Sequence, residues 1–371
     1  MEDVTKMKAQ DFTKELRSIV QLLDATRAGH QNQRPVDISL SELVTNRYGL
    51  SIQDYYDKIG INPKKDTMQN IFTMPDPNIR WIVPEIIRDA IYLGIKEAPF
   101  YPNLISSDQA INGLQAIMPM INPSDAAPAR VNEAETIPLG DVSFGQKSVR
   151  LFKIGKGFKI TEEVKNYVSL DVMAIFIRDF GIQLGYALDT LAMDVLINGN
   201  QADGSESAPV IGVNTTAEGI TYKDLLRTWV RGSRLGRVFR TLIGDESAAI
   251  DILDLPEFKI RMYGQPQSTM NLKTPVPSSS DFYIHPGVPE NNVLLVDPRS
   301  ALIKLTARQL MIESEKIVSN QTEAVYATIT TGFSKMYRDA SILIDSTKEF
   351  STNGFPEWMN IDPYITVNIE Q

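Results

Sequence analysis

The stretch ARVNEAETIPLGDVSFGQKS (129–148), VRLFKIGKGFKIT (149–161) and, after EEVKNYV, SLDVMAIFIRDFGIQLGYALDTLAMDVLIN (169–198) decides how the chain folds. Its first part is polar and marked by Gly and Pro. In the second part Val149 and Leu151, Phe152 and Ile154, Phe158 and Ile160 recur at spacing two, the period of a strand with one buried face. Two strands joined by such a polar tip predict a long hairpin. From Ser169 the period changes: Met173, Phe176, Ile177, Phe180, Leu184, Leu188, Leu191 and Val195 step by three and four, so they line one face of a helix. Ser169 is the expected N-cap, and NGNQADG ends the helix. About 28 residues at 1.5 Å each make a rod of roughly 42 Å, longer than most helices in globular domains.

Composition narrows the chemistry. A chain of 371 residues, 43% of them hydrophobic, can build two or three domains with cores of their own. It has no cysteine, which excludes disulfides, thiolate nucleophiles, iron–sulfur clusters and cysteine-ligated zinc. It has two histidines. A net charge of −9 argues against a dedicated nucleic-acid reader, whose domain is normally basic, but not against a container that must hold DNA loosely. No run approaches about 18 uninterrupted apolar residues, and MEDVTKMKAQ lacks the basic-then-apolar order of a signal peptide, so folding in the cytoplasm is expected, with no membrane partner.

Along the chain, residues 1–30 read as an amphipathic helix with Phe12, Leu16, Ile19 and Leu23 on its apolar stripe. A helix packed on its own chain and an arm docked on another subunit both satisfy that pattern. SLSELVTNRYG and SIQDYYDKIG predict two short helices, each capped by Ser and closed by Gly, and TMPDPN breaks the chain. VPEIIRDAIYLGI predicts a helix with Pro84 near its first turn; Pro99, Pro102, Pro119 and Pro123 then bar further long helix and suit a strand running into the hairpin. After the long helix, GITYKDLLRTWVRGSRLG predicts a helix ended by glycines, and RTLIGDESAAIDIL a strand followed by a helix, the alternation of a compact α+β module. Residues 262–289, with prolines at 266, 275, 277, 286 and 289 and Ser278, Ser279 and Ser280, predict a long exposed loop. NVLLVDPRSALIKL predicts a buried strand and turn, and 313–345 two strand-like runs, with Val325, Ala327 and Ile329 alternating in the first and Ile342 to Ile344 apolar in the last.

Several residues invite a chemical reading and each has a plainer one. Gly155-Lys156-Gly157 lacks the further Gly and the strand-loop-helix setting of a phosphate loop, and reads as a kink or bulge in the hairpin strand. NGNQADGSE resembles a calcium loop with Gly204 one place late and Ala202 at a ligand position, so it reads as a solvated turn. His285, between Ile284 and Pro286, has no second histidine or acidic cluster near it in sequence and reads as structural. Glu162 with Glu163, and Glu133 with Glu135, are carboxylate pairs at positions where water or a neighbour's lysine is the expected partner. No catalytic, cofactor-binding or metal-binding residue is assigned, and no cofactor is expected.

The charged hairpin, KIGKGFKITEEV, the long helix ending in INGN and the loop into APVIGV, with Gly199, Gly204, Pro209 and Gly212, resemble the Hong Kong 97-type major capsid proteins of tailed phages. The resemblance is strongest over 130–213, weaker to Asp345, and absent before about Pro75. It implies an α+β capsid fold with an N-terminal arm (1–77), a P-domain (78–120, 151–212 and 300–340) whose spine is the long helix, an extended E-loop hairpin (121–150) and an A-domain (213–299 and 341–371). It implies a structural, non-enzymatic subunit of an icosahedral shell around double-stranded DNA, made in the host cytoplasm and residing in the virion. Its partners would be further copies of itself in hexamers and pentamers, DNA held weakly through Lys6, Lys8, Lys14 and Arg17, and portal, scaffold and decoration proteins. An encapsulin-type compartment shares the fold, but a leading arm of about 75 residues favours the phage case. That arm is expected to be retained and to work between subunits, its stripe covered by a neighbour. Some such shells join a hairpin lysine to a neighbour's asparagine; Lys147 and Lys153 lie in the corresponding region, but no acceptor Asn or assisting Glu matches, so that activity is not carried over.

Overall fold

The computed structural model describes residues 15–16, 18–21, 39–97, 99–111, 113, 115–117, 120–121, 133, 142–143, 148–199, 207–213, 219–234, 236–255, 281–317, 319 and 321–349. Helices α1 (Leu40–Tyr48) and α2 (Ile52–Ile59) form where Ser and Gly mark them. The Ser39 and Ser51 hydroxyls accept from the amides of Glu42 and Asp54, and Gly49 and Gly60 end the helices at φ 66° and 80°, a conformation that costs a side chain dearly. A short helix, α3 (Met68–Thr73), follows, which its six residues are too few to announce by periodicity. At TMPDPN the chain breaks into a 3₁₀ turn capped by Asp76, then runs into α4 (Ile82–Glu97).

Helices α5 (Glu162–Tyr167) and α6 (Leu170–Asn198), the spine helix, come next. Ser169 stands at the N-cap position, but its side chain makes no capping bond. The preceding segment does that work: the carbonyls of Asp66 and Pro63 accept from the amides of Leu170 and Asp171, each at 3.0 Å. At the other end the Leu196 carbonyl accepts from Lys335 Nζ and Ser341 Oγ, both at 3.2 Å, and Ile197 from the Ala208 amide at 2.8 Å. Both ends of the helix are therefore satisfied by distant chain. Its packing on α4 is close because glycines meet there: a Cβ on Gly94 would lie 2.2 Å from the Arg178 carbonyl, and one on Gly181 2.3 Å from that of Ile91. By length and composition the spine helix could cross a membrane, but 61% of its most apolar window is buried inside the protein, which makes it a core helix.

Strands β1 (Ile105–Ala110), β6 (Phe152–Thr161), β11 (Leu302–Ile317) and β12 (Thr322–Lys335) form a sheet in the order β1-β11-β12-β6, with β1 parallel to β11 and the other pairs antiparallel. Val325, Ala327 and Ile329 of β12 join the spine helix and α4 in the main core. A second sheet has the order β7-β13-β10-β8-β9: β7 (Val210–Val213), β13 (Ser341–Glu349), β10 (Asn292–Val296), β8 (Thr241–Gly244) and β9 (Asp281–Ile284). Helices α7 (Tyr222–Arg234) and α8 (Glu246–Asp254) supply Leu225, Ala248, Ala249 and Ile252 to its core. The hairpin's arms pair as β2 (Gln115–Ile117) with β5 (Ser148–Arg150) and β3 (Met120–Ile121) with β4 (Val142–Ser143). Val149 and Leu151 root it on Ile303 and Leu305 of β11.

Three expectations are corrected. Leu16 and Ile19 have no exposed surface and belong to the main core of their own subunit, so a neighbour does not cover them; Phe12 and Leu23 lie outside the described residues. The stretch 262–289 is not loop throughout, because Asp281–Ile284 pairs in parallel with β8 through main-chain bonds to which its prolines are no obstacle, lying on either side of the strand. Residues 262–280 are outside the described set. The Gly155–Gly157 segment makes no bulge: β6 pairs with β12 without a break in register from Thr161 to Phe152. The glycines are there for clearance, since a Cβ would sit 2.6 Å from Thr328 Cγ2 and 2.6 Å from Tyr326 Cδ1.

Candidate assembly surface

The spine helix buries one arc and leaves another open. Met173, Ile177, Phe180, Leu184 and Leu188 are buried as the three-and-four spacing predicts, but Phe176, assigned to the same face, is 71% exposed. One residue before Ile177, it lies about 100° around the helix, beyond the reach of α4 and the sheet. With Val172, Ile175 at 62% and Tyr167 at 84% exposed, it forms an apolar stripe at one end of the spine. Covering each such side chain is worth about 1.5–3 kcal/mol. Polar contacts border the stripe: Lys165 pairs with Glu323, and Arg178 with Glu97.

Beside the other half of the helix, Phe152 and Ile154 of β6 face a cleft. One cavity of about 410 Å³ is lined by Phe152, Leu191, Asp194, Val195, Asn198 and Phe333. The opposite face of β6 carries exposed Lys153 and Lys159. The Gly155-Lys156-Gly157 segment is mid-strand with no helix after it, so it cannot cradle a phosphate.

The titratable groups singled out in the sequence do not converge. His285 is buried; its Nδ1 accepts from the Gly287 amide at 2.9 Å, its ring stands edge-on to Phe100 at 5.5 Å, and burial pushes its pKa down, so it is held neutral. Glu162 and Glu163 are exposed in the first turn of α5, where the helix dipole favours them. Glu133 is exposed, Lys153 lies on the outer face of β6, and Glu135, Lys147, Ala202, Gly204, Lys6, Lys8, Lys14 and Arg17 lie outside the described residues. Among the described residues no three His, Asp or Glu side chains are grouped to hold a metal ion.

One buried group escaped the sequence reading. Asp189 has no exposed surface; its carboxylate accepts from the Tyr101 amide at 2.8 Å and the Phe100 amide at 3.4 Å, and burial pushes its pKa up to about 6. The signal was its place on the helical wheel, four residues after Gly185 and one after Leu188, inside the buried arc. It ties the spine helix to the turn that leads into β1.

No family model and no curated protein sequence matches the chain. Solved structures do. A chain of the Microbacterium phage Oxtober96 structure superposes with a TM-score of 0.51 at 11% identity, over 67% of this chain and 91% of that one. The virus-like particle from Pyrococcus furiosus gives 0.48 at 13% identity, over 70% and 98%. The holo-SrpI encapsulin complex from Synechococcus elongatus gives 0.46 at 10%, over 69% and 90%. The order of hairpin, spine helix, four-stranded sheet and five-stranded sheet, together with the superposition on the phage chain, identifies the fold of this protein as the Hong Kong 97 type.

Proposed function

We propose that this chain is the major capsid protein of a tailed phage, self-assembling through hexamers and pentamers into the icosahedral shell around double-stranded DNA. The observation that carries the reading is the open apolar stripe of Tyr167, Val172, Ile175 and Phe176 on a subunit that also projects a paired hairpin rooted at Val149 and Leu151. The stripe is open to water, and the hairpin is anchored at its base where Val149 and Leu151 pack on Ile303 and Leu305. In the proposed shell the hairpin of one subunit lies over the spine of the next. The sheet of β1, β11, β12 and β6 with the spine helix is then the P-domain, and the five-stranded sheet with α7 and α8 the A-domain facing a symmetry axis.

DNA would be held weakly and without sequence preference, since a chain of net charge −9 repels phosphate overall. Portal, scaffold and decoration proteins are further proposed partners, and the subunit would fold and assemble in the host cytoplasm before residing in the virion. The reading assigns it no enzymatic role. Negative-stain imaging of the purified chain tests the proposal: closed shells support it, and a monomer or small oligomer at every concentration overturns it. Nucleic acid in native particles then separates a phage head from a protein-filled compartment.

A further inference from the structure

The apolar stripe occupies the first half of the spine helix, and two charges beside it are placed to meet their opposites on a second copy. Asp171 is exposed, and its carboxylate has no partner among the described residues. Arg178 is exposed as well; its Nε and Nη2 donate to Glu97, while its Nη1 has no partner among the described residues. Seven residues along a helix fall about 20° short of two full turns, so the two side chains stand on the same side, about 10.5 Å apart along the axis. Ile175, 62% exposed, lies within one residue of the midpoint between them. Val172 and Phe176, 44% and 71% exposed, lie on the far side of Ile175. One edge of the open arc is thus charged, with opposite signs at its two ends, and the other edge is apolar.

This pattern is self-complementary. A two-fold axis perpendicular to the helix at that midpoint turns a second spine antiparallel and keeps each edge of the arc on its own side. Asp171 of each copy then faces Arg178 of the other, so the pair forms twice. Ile175 meets its counterpart beside the axis, and the two copies of Val172 and Phe176 close into one apolar cluster. The other acid on the arc, Asp179, accepts from Gln183 Nε2 of its own helix at 2.9 Å.

We propose that the spine helices of two copies pack antiparallel across a two-fold axis between residues 174 and 175, stripe on stripe, with reciprocal Asp171–Arg178 pairs setting the register. The contact is isologous, the same patch serving both copies. It rests on the reading of this chain as a shell subunit, and it leaves the second half of the spine to a neighbour's hairpin. Four apolar side chains a copy are far fewer than the roughly 20–30 residues a side of a standard interface, so this contact is one of several in a shell and weak in the isolated chain.

The absence of cysteine makes the test clean, since a single introduced cysteine can link only to its counterpart in another chain. In assembled particles under mild oxidation, Ile175→Cys should give disulfide-linked dimers. Tyr186→Cys, on the same helix and 51% exposed, should give none. It lies about 17 Å along the helix from the axis, which sets its two copies about 34 Å apart, beyond disulfide reach. Particles without the Ile175→Cys link, or with equal linking from Tyr186→Cys, overturn the proposal and leave the shell reading standing; a parent chain that forms no particles overturns both. Linking of Ile175→Cys only when a second cysteine replaces Val142 gives the stripe to the hairpin and overturns the proposal too. Charge reversal provides a second measurement. Asp171→Arg and Arg178→Asp should each raise the concentration at which particles form, on the order of tenfold, by setting like charges together, and the two combined should return it to within about twofold of the parent. A combined variant that assembles no better than the worse single one overturns the proposal.

Discussion

The carbonyl of Asp66 accepts the amide of Leu170 at 3.0 Å, so the segment ahead of α4 closes the N-terminus of the spine helix. With Pro63 doing the same for Asp171, and Leu16, Ile19, Leu40, Val44 and Tyr55 all buried in the main core, the N-terminal residues described are structural parts of the subunit.

The double substitution Leu16→Asp with Ile19→Asp should therefore destabilise the isolated subunit. Two unpaired carboxylates placed where the native side chains have no exposed surface should cost about 4 kcal/mol or more together. Urea unfolding of the variant subunit checks this; a midpoint equal to that of the parent chain would show that the segment is dispensable to the fold.

Gly94→Ala and Gly181→Ala should each lower the unfolding temperature. The new methyl would lie 2.2 or 2.3 Å from a backbone carbonyl of the facing helix, and backbone cannot swing aside as a side chain does. Each should cost about 1–3 kcal/mol by overpacking. Thermal unfolding followed by circular dichroism gives the answer, with Gly49→Ala excluded as a control because its φ of 66° adds a strain of its own.

Asp189 should make stability depend on pH. Its folded pKa, about 6, lies above the ordinary carboxylate value of 3.8, so the folded state holds the proton more tightly than the unfolded state. The stabilising effect of that proton is full below about pH 4, is lost as pH rises through about 6, and is absent above it, a swing of about 3 kcal/mol. Asp189→Asn should remove this slope. Urea midpoints of the two chains between pH 4 and pH 7 should diverge across that window; parallel curves would contradict the assignment.

Arg237 holds the two sheets together at their crossing. Its guanidinium donates to both oxygens of Asp339, at 2.8 and 3.0 Å, and to Ser300 Oγ at 3.0 Å, joining the β12–β13 and β10–β11 connections. Arg237→Ala leaves the partly buried Asp339 carboxylate, 15% exposed, without that partner and should cost about 1–3 kcal/mol. Arg237→Ala with Asp339→Ala should cost less than the two single changes added, which a double-mutant cycle of unfolding free energies measures directly.

Ile175→Asp with Phe176→Asp should leave subunit stability within about 0.5 kcal/mol of the parent, because both positions are already open to water. Assembly into shells should fail. Sedimentation of the variant at concentrations where the parent forms particles decides the matter, and particles in normal yield would remove the stripe from the assembly surface.

Local periodicity and punctuation by themselves determined the element types. Ser39 and Gly49, Ser51 and Gly60, the alternation of Val325, Ala327 and Ile329, and the three-and-four step from Met173 to Val195 specify helices and strands within a few residues of chain, so they were legible without a partner in view. What lay beyond was decided by contacts between residues far apart in sequence. Phe176 and Ile177 are equally apolar, and only the position of α4 and the sheet exposes one and buries the other. The spacing of Asp189 puts it on the buried arc of its helix, but only the fold brings the amides of Phe100 and Tyr101 to its carboxylate. Gly155 and Gly157 read as a kink or bulge in a strand until Thr328 and Tyr326 lie across them. Leu16 and Ile19 carry the same amphipathic pattern whether their apolar face is covered by their own chain or by another, because periodicity records that a face must be covered and carries no information on what covers it.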